Sequence, residues 1–135
     1  MSSRARSTLA EEAAATAGAA APWPTELRVD KEKRNLLVLF DDGSSHDFSA
    51  EFLRVVSPSA EVQGHSPEQR VTVPGKKTVR IARLDPVGNY AVRIVFDDGH
   101  DTGLYSWSYL KELGETRESR WQAYIEELAQ KGLTR

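Results

Sequence analysis

The sequence predicts an α+β domain: a small, mainly antiparallel β-sheet, two short helices after repeated hairpins, and a C-terminal helix packed on the sheet. Three observations carry this expectation. The tetrapeptide FDDG occurs twice, at Phe40–Gly43 and at Phe96–Gly99, each time after a strand-like run. Each copy leads into an aromatic-serine pair, Phe48-Ser49 and Tyr105-Ser106, that opens a helical pattern. Near the end of the chain Trp121, Tyr124, Ile125 and Leu128 recur at i, i+3, i+4 and i+7, one apolar stripe of a helix.

Taken in order, residues 1–22, MSSRARSTLAEEAAATAGAAAP, are Ala/Ser-rich, lack aromatics and read as a disordered tail. Arg4 and Arg6 among serines have the look of a transit peptide, but Glu11, Glu12 and the lack of a compact apolar segment count against targeting. The folded domain spans 23–135. Thr25–Val29 and Leu36–Phe40 read as strands joined by DKEKRN. Leu36, Val38 and Phe40 share one face and Leu37 and Leu39 the other, which suits a strand inside a sheet. Asp42-Gly43 is the expected centre of a two-residue type I′ turn. The chain should return through Ser45–Phe48, and Ser49 should cap AEFLRVV, which ends before Pro58.

The stretch SPSAEVQGHSPEQ lacks periodicity and reads as a loop. Lys77–Leu84 and Tyr90–Phe96 follow as strands around the turn DPVGN. Asp98-Gly99 repeats the turn, and His100–Tyr105 the return. One extra residue near Thr102-Gly103 reads as a bulge. Ser106 caps WSYLKEL, Gly114 supplies a left-handed stop, and a last helix covers about Glu115–Lys131. Two matching units are too few for a solenoid, so internal pseudo-symmetry within one domain is expected.

Composition excludes several chemistries. The chain has 135 residues, 39% hydrophobic and 28% charged, which fits one ordinary domain. A formal charge of −2 gives no general attraction to nucleic acid or an anionic membrane, and a cytoplasmic location is expected. There is no cysteine, hence no disulfide, thiolate nucleophile or cysteine-held zinc or iron–sulfur cluster. No apolar run approaches the roughly 20 residues that span a bilayer. No G-x-S-x-G, P-loop or Rossmann fingerprint is present.

Among candidate site residues, His100 follows the second Asp-Gly turn and is expected to face Asp97 across the hairpin. A carboxylate there would fix the imidazole tautomer and raise its basicity, as behind a metal-bound histidine. The plainer reading is a solvated turn histidine. His65, in GHSP, and His46, on the first return strand, lack metal-ligand spacing. Turn chemistry alone explains Asp41, Asp42, Asp97 and Asp98. The acid-free run RVTVPGKKTVRIAR carries Arg70, Lys76, Lys77, Arg80 and Arg83, either a solvated strand face or a surface for an anionic partner. Tyr105, Trp107 and Tyr109 read as core residues before a docking patch.

The segment LDPVGNYAVRIVFDDGHDTGLYSWSYLKELG resembles the hallmark of the γ-butyrobetaine hydroxylase-like N-terminal domain family, small bacterial proteins known as a domain of unknown function. LRVVSPSAEVQGHSP is similar to the same family, so the resemblance runs from Pro24 to Leu113. In the family's namesakes the domain is non-catalytic, precedes an oxygenase domain dependent on iron(II) and 2-oxoglutarate, and carries a zinc held by three cysteines and a histidine. Here Leu53-Arg54 matches the motif before the cysteines, but the cysteine positions fall on Ser57, Ser59 and Val62. Only His100 remains of that quartet, and the oxygenase triad has no counterpart. Related domains are attached to Mrp-type iron–sulfur carrier ATPases, which implies a role beside metal or cluster handling.

The resulting expectation is a non-enzymatic, cofactor-free, cytoplasmic module that binds a protein partner and neither nucleic acid nor membrane. The alternative is an iron- or zinc-binding protein using His100, His65 and Asp97. A degenerate enzyme that binds a small molecule is a third reading.

Overall fold

Pro24–Val29 (β1), Asn35–Phe40 (β2) and Ser45–Ser49 (β3) form one antiparallel sheet in that order in the computed structural model, which describes residues 22–135. Residues 1–21, the bulk of the expected tail, lie outside the described part. Ile81–Val87 (β4), Ala91–Phe96 (β5) and Gly103–Ser106 (β6) form a second antiparallel sheet, again in chain order. Helix α1 (Ala50–Val55) follows β3, a short helix α2 (Ala60–Gln63) lies on the way to β4, and α3 (Trp107–Gln130) follows β6. The fold is α+β.

Each central strand alternates as its sequence requires: Leu36, Val38 and Phe40 of β2 and Val92, Ile94 and Phe96 of β5 are buried. Both sets meet in one cluster with Phe48, Tyr105, Leu53 and Leu110, so the two units share an interior. Burying each such aliphatic side chain contributes roughly 1.5–3 kcal/mol. A smaller cluster of Val55, Val62, Val73, Tyr124 and Leu128 ties the later turns of α3 to the segment between the sheets. Trp121 and Ile125 pack at its edge, so the apolar stripe faces inward.

The repeat extends further than the turns. Pro24 pairs with Phe40 and Ile81 with Phe96, and the register slips one step later in both ladders, between Pro24/Glu26 and between Ile81/Arg83. Ser49 accepts the Phe52 amide and Ser106 the Tyr109 amide, so both helices begin with the same cap. The additional residue of the second return strand falls at Asp101-Thr102, just outside the ladder.

Four expectations change. The Asp-Gly bends are three-residue loops, not two-residue type I′ turns. Gly43 N–H donates to Phe40 O and Phe40 N–H to Ser44 O, and Gly99, Phe96 and His100 repeat this. Gly43 and Gly99 hold φ of 88° and 93°, whereas the preceding aspartates stay at negative φ. That is a type I turn closed by a glycine bulge. Strand β4 begins at Ile81 and runs on through Pro86, which pairs with Val92 on an edge strand where no amide is needed. Gly114 stops nothing, because α3 is continuous from Trp107 to Gln130. A Cβ there would come within 2.3 Å of His46 Cγ, so glycine serves close packing of helix on strand. Finally, the stretch read as a loop holds α2, capped by Ser59, and a 3₁₀ turn at Pro67–Gln69.

Candidate functional site

The three-residue loop changes what His100 meets. Its carbonyl pairs with the Phe96 amide, so it does not oppose Asp97, whose carboxylate accepts the Arg80 N–H at 3.0 Å instead. The imidazole turns inward, its side chain 3% exposed, and is not a solvated turn residue. Nδ1 lies 3.1 Å from Glu61 Oε1 and Nε2 lies 2.9 Å from Ser57 Oγ. A carboxylate only accepts, which assigns the proton to Nδ1 and makes the Ser57 hydroxyl the donor to Nε2. Ser57 Oγ also accepts the Ser59 amide at 3.2 Å, and Ser59 Oγ meets Thr102 Oγ1 at 2.7 Å. The linker between α1 and α2 is thereby laced to the second hairpin.

Asp98 completes the cluster from the hairpin tip. Oδ1 accepts the His100 amide at 3.0 Å, while Oδ2 takes Arg54 Nε at 2.8 Å and Lys76 Nζ at 2.6 Å. Burial pushes Asp98 up, but the bonds from Lys76, the His100 amide and Arg54 outweigh it and hold the carboxyl at about 2. His100 is pushed below the usual imidazole value, first by burial and then by the Arg54 guanidinium, against the pull of Glu61 and Asp98. The imidazole is therefore neutral near pH 7, consistent with its acceptor nitrogen.

Serine against Nε2 and carboxylate against Nδ1 is the order of a nucleophile, base and orienting acid. Access decides otherwise. Ser57 is 0% exposed, and Gly103 covers it so closely that a Cβ would stand 2.6 Å from Oγ. That oxygen is buried beneath Gly103, and the network ties the α1–α2 linker to the second hairpin.

The remaining candidates lie elsewhere. His65 is exposed, and its amide donates to Gln69 Oε1. His46 is half-buried under Gly114 and is held below the ordinary imidazole value, first by burial and then by Lys111. Among the described residues no group of three or more His, Asp or Glu side chains is placed to hold a metal ion. Much of the basic run is internally engaged: Arg70 pairs with Glu127, Lys76 with Asp98 and Arg83 with Asp85. Tyr105 and Tyr109 belong to the core, their hydroxyls donating to the carbonyls of Leu53 and Val56. Glu61 and Arg54 had no composition signal as partners of His100 and Asp98, whereas the family's zinc quartet had pointed to Ser57 beside His100. Only the position of Arg54 in the repeat, matching Lys111, points to its role.

These observations leave a folded domain whose most suggestive cluster buries Ser57 and His100 and has Glu61 at its exposed rim. The family model described as gamma-butyrobetaine hydroxylase-like, N-terminal, matches residues 27–111. The chain belongs to that family. Two proteins with NMR solution structures are similar to it. One is 42% identical over 86% of this chain and 91% of the other, with a TM-score of 0.74. The second is 46% identical over 84% and 85%, with a TM-score of 0.73. A crystal structure of a protein of unknown function from Acidithiobacillus ferrooxidans, of the DUF971 family, is 36% identical over 67% of this chain and 91% of the other, with a TM-score of 0.56. No curated protein matches.

The zinc that this family implies finds no fitting ligands here. Ser57 and Ser59 do reach the neighbourhood of His100, but as hydroxyls already committed to hydrogen bonds. Val62 is buried in the apolar cluster beside Tyr124. Both nitrogens of His100 are occupied by Ser57 and Glu61. One imidazole with two hydroxyls and an isopropyl group is not a zinc donor set.

Proposed function

We propose that the protein is a non-catalytic, cytoplasmic interaction module of the gamma-butyrobetaine hydroxylase-like N-terminal family that works by binding another protein. The observation that carries this reading is the closure of the His100 cluster: its nucleophile, base and acid are consumed in holding two segments together, and the hydroxyl is buried beneath Gly103. What remains for function is the outer surface. No described helix is long and apolar enough to cross a membrane. The metal reading built on His100, His65 and Asp97 draws no comparable support, since His65 is exposed and Asp97 is turned to the Arg80 amide.

The test uses untagged protein at its native level. Gel filtration of cell extract should place it in a complex with one identified protein at constant ratio, and Ser57→Ala should keep that complex. Elution at monomer mass under all salt conditions would overturn the reading. So would stoichiometric iron or zinc on the purified protein that disappears in His100→Ala.

A further inference from the structure

The cations of the described residues divide unevenly. Most arginines, together with Lys76 and Lys111, lie against carboxylates. Arg117 donates to the Asp47 carbonyl and Lys131 to the Thr72 hydroxyl. Lys31, Lys33, Arg34, Lys77 and Arg80 form no salt bridge among the described residues, and they all fall on two short segments: the β1–β2 turn and the stretch entering β4.

The backbone fastens those segments side by side. Ile81 N–H donates to Lys33 O at 2.8 Å, and Ala50 N–H holds Arg34 O at 2.7 Å. Arg80 is fixed from the other side, its N–H on Asp97 Oδ1 and its carbonyl accepting the Asp97 amide. All of these cations but the half-buried Arg34 are exposed. Acids are present, but partly spent. Both oxygens of Asp30 are taken by the amides of Arg34 and Asn35 and by the Asn35 side chain. Glu32 is exposed on the same turn. Asp97, also exposed, stands on the Arg80 amide, so five cations meet three carboxylates along this ridge, in a chain whose formal charge is −2.

A second observation is independent of charge. Lys33 has φ of 65° and is the one non-glycine residue at positive φ among those described. Glycine or asparagine meets that conformation at lower cost. The turn itself has no need of a lysine there.

We infer that the ridge of Lys31, Lys33, Arg34, Lys77 and Arg80 is the surface that docks an acidic segment of the partner protein, a stretch rich in aspartate and glutamate. The inference rests on the interaction-module reading. Carboxylates in an extended segment match separate point charges on two adjacent strand ends. A single-stranded nucleic acid fits less well: neither DKEKRN nor KKTVR offers an aromatic face for a base.

Fluorescence anisotropy with a labelled peptide of alternating glutamate and serine tests this, beside an uncharged peptide of equal length and an oligonucleotide of equal charge. The acidic peptide should bind at low salt and weaken as salt rises past the point where the Debye length falls to roughly 8 Å. Lys33→Glu/Arg80→Glu should weaken it about tenfold, whereas Lys131→Glu, outside the ridge, should change it less than about twofold. Lys33→Gly separates charge from folding, for it should weaken binding while leaving thermal stability equal or higher. Unchanged binding by the double variant, no binding by the wild type, or tighter binding of the oligonucleotide would each overturn the inference. In extract, a complex that forms with wild type and survives the double variant would sink the ridge while sparing the module. Absence of any wild-type complex would sink the module itself.

Discussion

The unit made of β1, β2, β3 and α1 and the unit made of β4, β5, β6 and α3 start alike and finish differently. Each has a slipped outer ladder, an FDDG loop closed by a bulge glycine, a serine cap and a buried leucine at the same helix position, Leu53 and Leu110. Their cross-contacts are reciprocal. Arg54 of the first helix reaches Asp98 on the second loop, and Lys111, its counterpart, reaches Asp42 on the first at 2.5 Å. Ser57 lies against Gly103, and its counterpart Gly114 lies against His46, the counterpart of Gly103. Helix length is where they part. After Ser57 comes Pro58, which cannot extend α1, while after Gly114 the chain keeps helix formers and α3 runs on to Gln130.

The two ends of the pseudo-symmetric pair differ for an equally local reason. At one end Ile81 N–H ties β4 to Lys33 O. Its counterpart Pro24 has no N–H, so the carbonyl of Asn89, counterpart of Lys33, accepts the Trp107 indole N–H at 2.8 Å. A groove lined by Trp23, Pro24, Leu27, Pro86 and Trp107 opens there, whereas the tied end carries the basic ridge.

The comparison is broken or sharpened by substitution in matched pairs. Leu53→Ala and Leu110→Ala should each cost about 2–5 kcal/mol. Urea unfolding followed by tryptophan fluorescence and far-UV circular dichroism should give one coincident transition for both variants. Separate transitions would mean that the units do not share a core.

The loop tips should be unequal. Asp98, its side chain 19% exposed and holding two cations, should lose about 1.5–3 kcal/mol as Asp98→Asn. Asp42, 53% exposed with one ammonium partner, should lose about 0–1 kcal/mol as Asp42→Asn. The pH dependence has a definite sign. The folded-state pKa of Asp98, about 2, lies below the unfolded carboxylate, so its contribution is complete above about 4 and disappears as pH falls toward 2. The gap between wild type and Asp98→Asn should close over that window in acid titrations of stability. His100, also lowered, works from a higher pH: its contribution as a neutral group declines once pH falls below about 6.5, where the unfolded imidazole takes up a proton.

Gly114→Ala should cost about 1–3 kcal/mol by overpacking against His46, and His46→Ala should restore most of it, measured as a double-mutant cycle. The helix caps complete the series. Ser49→Ala and Ser106→Ala should each cost about 1 kcal/mol in thermal melts, and equality between them would show that cap strength is independent of helix length.

Much of the fold was legible because it is written in short-range patterns. Two apolar faces placed β2 inside a sheet, and serine after an aromatic marked both helix starts. The loop type was misread because Asp-Gly serves a two-residue turn and a bulged three-residue loop equally well, and that difference of one residue moved His100 from Asp97 to Phe96. Gly114 was misread because a glycine at a helix end and a glycine under a crossing strand look the same without the strand. Both partners of His100 are far away in sequence: the family's zinc quartet pointed to Ser57 as a neighbour, but no pattern selects Glu61.

By itself the sequence determined the duplicated strand–loop–strand–helix order, the burial faces and the lack of any thiol ligand, since each follows from residue type and near-neighbour spacing. Only the tertiary structure decided that the two units clamp each other's loops, that His100 is a neutral buried strut, and that the unpaired cations gather on one ridge. Those outcomes depend on which distant segments come within hydrogen-bond reach, and the chain sets that distance only once both sheets have closed on a common core.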